Sequence, residues 1–315
     1  MNIVCCTDHK YIMPTGVMIC SICVNHPNCE ICFHVVCNND VTESDKNDLR
    51  EITLKHSHKI EFYEIKKEIA DCFTVGQKGQ NKHITISTYY RLFLAEILPT
   101  SIDKVIYLDA DVIVRNSLLE LYKTDLNGLA LGVVTNMSEG NIQIFNRLRY
   151  SPTLGYFNAG VLLINLHYWR KENLLEQFTD YAIKYPDRIL WHDQDLLNYV
   201  LKNSKKQLPL TYNFQNGFLY KERNLSWEYD EEIRDTIRNP IILHFTGDKP
   251  WQKGCNHPYK GEFFKYQKMT KWANIPLWKA RPISWKIKIR KLLIYAGILK
   301  ASPYTFASIP PLSNN

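Results

Sequence analysis

The chain has 315 residues, 45% hydrophobic and 23% charged, with no internal repeat and no low-complexity tract beyond a short Pro/Ser-rich end. That composition is ordinary for a folded chain and leaves room for one large α/β unit with a tail. Thirty-nine Lys and Arg against 32 Asp and Glu give a formal charge of +7, which suits an anionic nucleotide, a nucleic acid or an acidic membrane surface without choosing among them.

The opening MNIVCCTDH has neither a basic n-region nor a long apolar core, and no stretch approaches 18 uninterrupted apolar residues. With nine cysteines and no secretory signal read, free thiols and a cytoplasmic setting are expected. Asn2–Thr7 reads as a buried strand. Pro14 opens a helical pattern through His26, as proline does in a first turn. Glu30–Cys37 is a second strand, and Thr42 to Asp45 reads as a capping box before a polar helix reaching about Lys55. Lys59–Ile65 alternates as a third strand, Asp71–His83 reads as a loop, and a helix over Thr85–Leu98 stops at Pro99.

Lys104–Val114, KVIYLDADVIV, is the most apolar strand, interrupted only by Asp109 and Asp111. The second half is less regular. Tyr156–Leu166 is strand-like, Trp169–Lys184 and His192–Lys202 are helical, and Ile241–Phe245 is a late strand carrying His244. Strand and helix alternate through the first half, which implies a mostly parallel central sheet flanked by helices on both faces. Ligands on such sheets bind beyond the carboxyl ends of the strands, where Asp8 and the Asp109 pair fall.

Two carboxylates inside an apolar strand are expensive unless neutralised. Asp109 and Asp111, at i and i+2, share one side of an extended segment and can bridge a divalent cation, or they can be loop-entry aspartates bonded to backbone. The segment HFTGDKPW at the end of the later strand supplies His244 as a third ligand. It also supplies Gly247 for close backbone approach to a phosphate, and Lys249 as a point charge. Mixed carboxylate and imidazole ligation completed by diphosphate oxygens suits Mn²⁺, with Mg²⁺ as the alternative.

Six segments in order, IVCCTDHKY from Ile3, TYYRL from Thr88, VIYLDADVIV from Val105, YFNAGVLLINL from Tyr156, HDQDLLN from His192 and HFTGDKPW from His244, make the chain resemble glycosyltransferase family 8. The bacterial lipopolysaccharide galactosyl- and glucosyltransferases are the nearest type. The resemblance implies a Rossmann-like GT-A fold over residues 1–270, a UDP-sugar donor, a divalent metal, a glycan or lipid-linked acceptor, and retention at the anomeric carbon. It places the metal on Asp109, Asp111 and His244. Asp8 and Tyr11 meet the uracil, Arg91 and Ala110 lie along the donor, and Gly247 with Lys249 hold the diphosphate. Asn158, Asp193 and Gln194 line the donor sugar and reaction centre. Lys249 stabilises the leaving group; Gln194 stands where a nucleophile would act, but an amide is a poor one, so front-face substitution is expected, with Asp193 as the alternative nucleophile. The family often has two residues between this glycine and lysine, whereas here only Asp248 intervenes.

Cys20-x-x-Cys23 and Cys29-x-x-Cys32 have zinc-like spacing, but the first pair lies in a helix and the second enters a strand, so packing is the expected role. Residues 271–315 form a basic, aromatic tail. Its Trp285–Lys300 stretch reads either as an interfacial helix on the anionic inner face of the plasma membrane or as a packed terminal helix with solvated lysines. Two rival functions stand beside the transferase: a UDP-sugar hydrolase with the same site, and a basic nucleic-acid-binding protein. The second has no recognised nucleic-acid motif, so no nucleic-acid partner is expected. Neither a Gly-rich dinucleotide turn nor a P-loop is present.

Overall fold

The computed structural model describes residues 1–65 and 86–279 and, beyond them, residues 285, 289, 292, 293, 296, 298, 299, 306, 307 and 309–313. The loop read over 71–83 and the basic residues of the tail stretch lie outside the described residues. Ten strands occur among the described residues: β1 (Asn2–Thr7), β2 (Cys32–Cys37), β3 (Lys59–Glu64), β4 (Lys104–Leu108), β5 (Val112–Val114), β6 (Leu131–Thr135), β7 (Phe157–Asn165), β8 (Lys205–Gln207), β9 (Phe214–Gln215) and β10 (Ile242–His244). Seven form one sheet in the order β3-β2-β1-β4-β7-β6-β8, and β5-β10-β9 form a second. Within the large sheet only β7 runs against its neighbours.

Residues alternate between two cores along each strand, as a period of two requires. Ile3, Cys5, Phe33, Val35, Ile106 and Leu108 face one core, while Val4, Val36, Val105 and Tyr107 face the other. The first core is filled by α1 (Ile12–Val24) and α2 (Glu43–Lys55). Twelve of the thirteen residues of α1 are buried, so the helix is apolar nearly all round, the signature of a core helix rather than a surface one. Cys20 and Cys23 lie in this core, where burial raises both thiols, that of Cys20 to about 11. The capping box of α2 is present in both directions: Asp45 N–H donates to Thr42 Oγ1 at 3.2 Å, and Thr42 N–H to Asp45 Oδ2 at 2.8 Å.

Three elements depart from the sequence reading. Lys104–Val114 is two strands in two sheets. Asp109 N–H still bonds Gly160 O in the large sheet, at 2.8 Å, whereas Phe245 N–H bonds Asp111 O in the small one, at 3.0 Å. The chain changes sheet within three residues, and the acids occupy that crossing. The helix expected over Thr85–Leu98 is a 3₁₀ segment, Ile86–Phe93, followed by one α-turn, Leu94–Ile97. Packing of Tyr89, Tyr90, Leu92 and Phe93 against the sheet outweighs regular α-helix there. Trp169–Lys184 breaks at Asn173, which sits at φ 49° between helices Leu166–Lys171 and Leu174–Lys184.

The register of β7 on β6 jumps from Leu162 opposite Val133 to Asn158 opposite Val134, so Ala159, Gly160 and Val161 form a bulge. Bulges re-aim a strand and cluster beside active sites. This one lies against the sheet crossing. Past the helix Lys260–Gln267 several of the described residues pack on the domain. Trp272 packs where a side chain on Gly16 would stand, and Trp278 N–H bonds Trp251 O at 2.7 Å. At the far end Arg115 donates to Ser313 O at 2.8 Å, and Ser313 N–H bonds Arg238 O at 2.8 Å. Among the described residues no helix is long and apolar enough to cross a membrane.

Candidate active site

The strand order makes the β1/β4 boundary the switch point of the large sheet, because β2 and β3 continue on one side of β1 and β4 lies on the other. Asp8 leaves β1 there. It is buried, accepts from Tyr11 N–H at 2.9 Å and caps the turn His9–Tyr11; burial raises its carboxyl. Asp109 leaves β4 beside it, and His244 ends β10 across the crossing.

Asp109, Asp111 and His244 come together, each offering one ligand atom, with all three atoms within 4.8 Å of one another. The tautomer of His244 follows from a chain of bonds that starts on a backbone donor. Gly160 N–H donates to Asn158 Oδ1 at 3.0 Å, so that atom is an oxygen. Asn213 Nδ2 donates to the same oxygen at 2.9 Å, which turns Asn213 Oδ1 toward His244 Nδ1 at 2.8 Å. A neutral ring therefore carries its proton on Nδ1 and leaves Nε2 as a bare lone pair. It faces Asp111 Oδ1 across 3.2 Å, and that buried oxygen receives no hydrogen bond. Two acceptors turned to each other in a buried place fit a shared cation. Gly160 belongs to the same arrangement: a Cβ there would lie 2.3 Å from His244 Cε1 and 2.6 Å from Asp109 Oδ2.

The remaining charges are arranged around these ligands. Arg91, reaching in from the 3₁₀ segment, lies 3.0 Å from Asp109 Oδ1 and 2.9 Å from Asp193 Oδ2. It also donates to Ala159 O in the bulge at 2.6 Å and stacks 4.5 Å from the Tyr107 ring. Tyr107 in turn donates to Asp109 Oδ1 at 2.8 Å. Lys249 is bound to Asp111 Oδ2 and to Phe245 O. Burial works to raise the Asp111 carboxyl, but the Lys249 ammonium against it outweighs this and holds it well below the usual carboxylate range. Burial pushes Asp193 up to about 7 against the opposing pull of Arg91. Asp109 and Asp111 balance Arg91 and Lys249, and Asp193, with its carboxyl at about 7, adds at most one negative charge, so a divalent cation would leave the cluster net positive, the sign a diphosphate needs.

Gln194, on the helix His192–Val200, is fixed at both ends. Its Oε1 accepts from Ala159 N–H at 3.1 Å and Asn158 Nδ2 at 3.2 Å, and its Nε2 donates to Tyr156 Oη at 3.0 Å. Tyr156 passes the chain on to Asp195 at 2.8 Å, a fully buried carboxylate that also holds Arg147 and the backbone N–H groups of Leu190 and Trp191. Gly247 stands against Asn216, whose Nδ2 is 2.8 Å from where a Cβ would be. Ala110 is buried between the two acids. All twelve residues singled out from the sequence lie at the switch point, at the crossing or on the elements packed against them.

Sequence reasoning missed Asn213, Tyr107, Tyr156, Asp195 and Gly160. Gly160 did leave a signal, since glycine inside a strand marks a bulge or a close approach. Asn213 lies before a two-residue strand, too short for any periodicity. It orients the histidine and is not itself one of the three candidate ligands, and such partners typically contribute about 10- to 100-fold in metal affinity. Asn213→Ala should weaken Mn²⁺ binding by that factor in a calorimetric titration; unchanged affinity would remove Asn213 from the site.

The model of the family described as glycosyl transferase family 8 matches residues 2–255. General stress protein A of Bacillus subtilis is 30% identical over 281 residues, covering 87% of this chain and 96% of its own. A lipopolysaccharide 1,3-galactosyltransferase of Salmonella typhimurium is 28% identical, covering 88% and 80%. Among solved structures, the galactosyltransferase LgtC in complex with donor and acceptor sugar analogues superposes with a TM-score of 0.76 at 29% identity, covering 91% of this chain and 100% of that one. The fold is thus the GT-A arrangement.

Proposed function

Since the chain belongs to glycosyl transferase family 8, we propose that it is a retaining hexosyltransferase. In this reading it moves galactose or glucose from a UDP-sugar to a glycan of the lipopolysaccharide type or another cell-surface glycan. The observation that carries this reading is the His244 ring, held by Asn213 with its lone pair against Asp111 and Asp109 beside the switch point. Asp109, Asp111 and His244 would hold Mn²⁺ or Mg²⁺, which, when bound, withdraws electron density from the diphosphate and stabilises it as it leaves.

Asp8 and Tyr11 meet the uracil at the carboxyl end of β1. Lys249 and the backbone at Gly247 meet the diphosphate, and Lys249 balances the charge that grows on it. Arg91, Asn158, Asp193 and Gln194 border the sugar. The bond from the anomeric carbon to the phosphate oxygen breaks, the acceptor oxygen bonds to that carbon from the same face, and its proton passes to the departing phosphate oxygen. A double displacement would need a free nucleophile on the opposite face. Gln194 Oε1 already accepts two N–H donors, and Asp193 is buried against Arg91, which supports the single front-face step.

The test supplies UDP-galactose or UDP-glucose and Mn²⁺ with and without a lipid-linked glycan, and reads product and anomeric configuration by NMR. Glycan-dependent turnover with retention is expected. Donor consumption that ignores the glycan would make the protein a hydrolase, and an inverted product would overturn the front-face step.

A further inference from the structure

We propose that Trp278, from the segment after the helix Lys260–Gln267, is a positioning residue that sets the ring of Tyr11 at the nucleobase end of the donor site. The inference rests on the donor reading above, in which Tyr11 meets the base. Tyr11 ends the turn His9–Tyr11 that follows β1 at the switch point, and it is half-buried. Its ring is flanked by two indoles. Trp251 lies 6.2 Å away at 90° and Trp278 lies 6.1 Å away at 86°, with the two indoles 5.8 Å from each other. Such edge-to-face contacts are directional, so three rings in a triangle fix one another's orientation, where a single contact would leave a hinge.

The two indoles differ in what they can do. Trp251 is fully buried, packs on Phe263 and can act only from behind. Trp278 is half-buried, with the Lys10 ammonium 6.0 Å from its ring. The backbone of Trp278 is also fixed. Its N–H bonds Trp251 O at 2.7 Å and its carbonyl accepts from Lys253 N–H at 2.9 Å, a parallel bridge onto the turn that follows Lys249. One short segment therefore touches both ends of the donor site: the ring at the base end and the chain that carries the diphosphate lysine. Residues outside the six sequence motifs thus shape donor affinity.

Full-length wild type, Trp278→Ala, Trp278→Phe and Tyr11→Ala are titrated by calorimetry with UDP and with inorganic pyrophosphate, both with Mn²⁺, and donor kinetics are measured alongside. Trp278→Ala should weaken UDP by ~10-fold, the scale of losing one or two aromatic contacts, and leave pyrophosphate within about twofold. It should raise the donor KM by a similar factor with kcat within about threefold, and Trp278→Phe should recover most of the loss. Equal weakening of UDP and pyrophosphate would mark a general disturbance and overturn the inference. UDP binding lost in Tyr11→Ala but unchanged in Trp278→Ala would overturn it while leaving the donor reading standing. UDP binding unaffected in Tyr11→Ala would overturn the donor reading, and the inference with it.

Discussion

Asp111→Asn should lower metal-dependent turnover by ~10³-fold or more, the scale of a lost electrostatic stabiliser of a leaving group. The substitution keeps the volume of the side chain and can still accept a bond from Lys249. What it removes is the charge that faces the His244 lone pair. Asp111 lies at the centre of the site, with Lys249 on one oxygen and His244 beside the other. A Mn²⁺ titration followed by steady-state rates at saturating metal separates weaker binding from slower chemistry. Activity within tenfold of wild type at saturating Mn²⁺ would falsify the three-ligand site. Asp109→Asn and His244→Ala should give losses of the same order, since each removes one of the same three ligands.

Gly160→Ala is expected to be nearly as damaging although glycine has no side chain to lose. The added methyl would lie 2.3 Å from His244 Cε1 and 2.6 Å from Asp109 Oδ2. Neither neighbour can yield cheaply. His244 is tied through Asn213, and Asp109 is held by Tyr107 and Arg91. The strain must then go into the ligands or into the bulge, and overpacking of this kind costs roughly 1–3 kcal/mol. Turnover should fall by about 10²-fold or more, with Mn²⁺ affinity falling in parallel, because ligand displacement acts through the ion. Gly261→Ala is the natural comparison. It adds the same methyl in a helix where nothing lies within 4 Å, so activity should hold and stability should rise slightly. Equal, small effects of the two substitutions would show that the bulge does not brace the ligands.

How much of this was legible in the sequence depends on the range of each signal. Local ones read correctly: the buried run of β1, the strand β2, the alternation in β3, and the Thr42 to Asp45 cap of α2. Asp109, Asp111 and His244 were legible because charge inside apolar runs is costly, and a costly residue announces a use. The crossing between sheets was not legible. Its residues are as apolar as those of one long strand, and only the partners Gly160 and Phe245 show that the chain has changed sheets. The bulge was equally hidden, since it is a register offset between β6 and β7 and a register belongs to two strands at once. Asn213 and Asp195 act through partners distant in sequence, Asn213 on His244 and Asp195 on Arg147 and Tyr156, so no spacing rule could find them.

The crossing has a mechanical meaning. Asp109 is bonded into one sheet, while Asp111 and His244 are bonded into the other, and only Ala110 separates the acids along the chain. Any sliding of one layer past the other would therefore appear first as a change in the ligand cage. An ion seated there would be a rivet between the sheets as much as a reagent, and the enzyme would be stiffest across this seam when it is loaded to react.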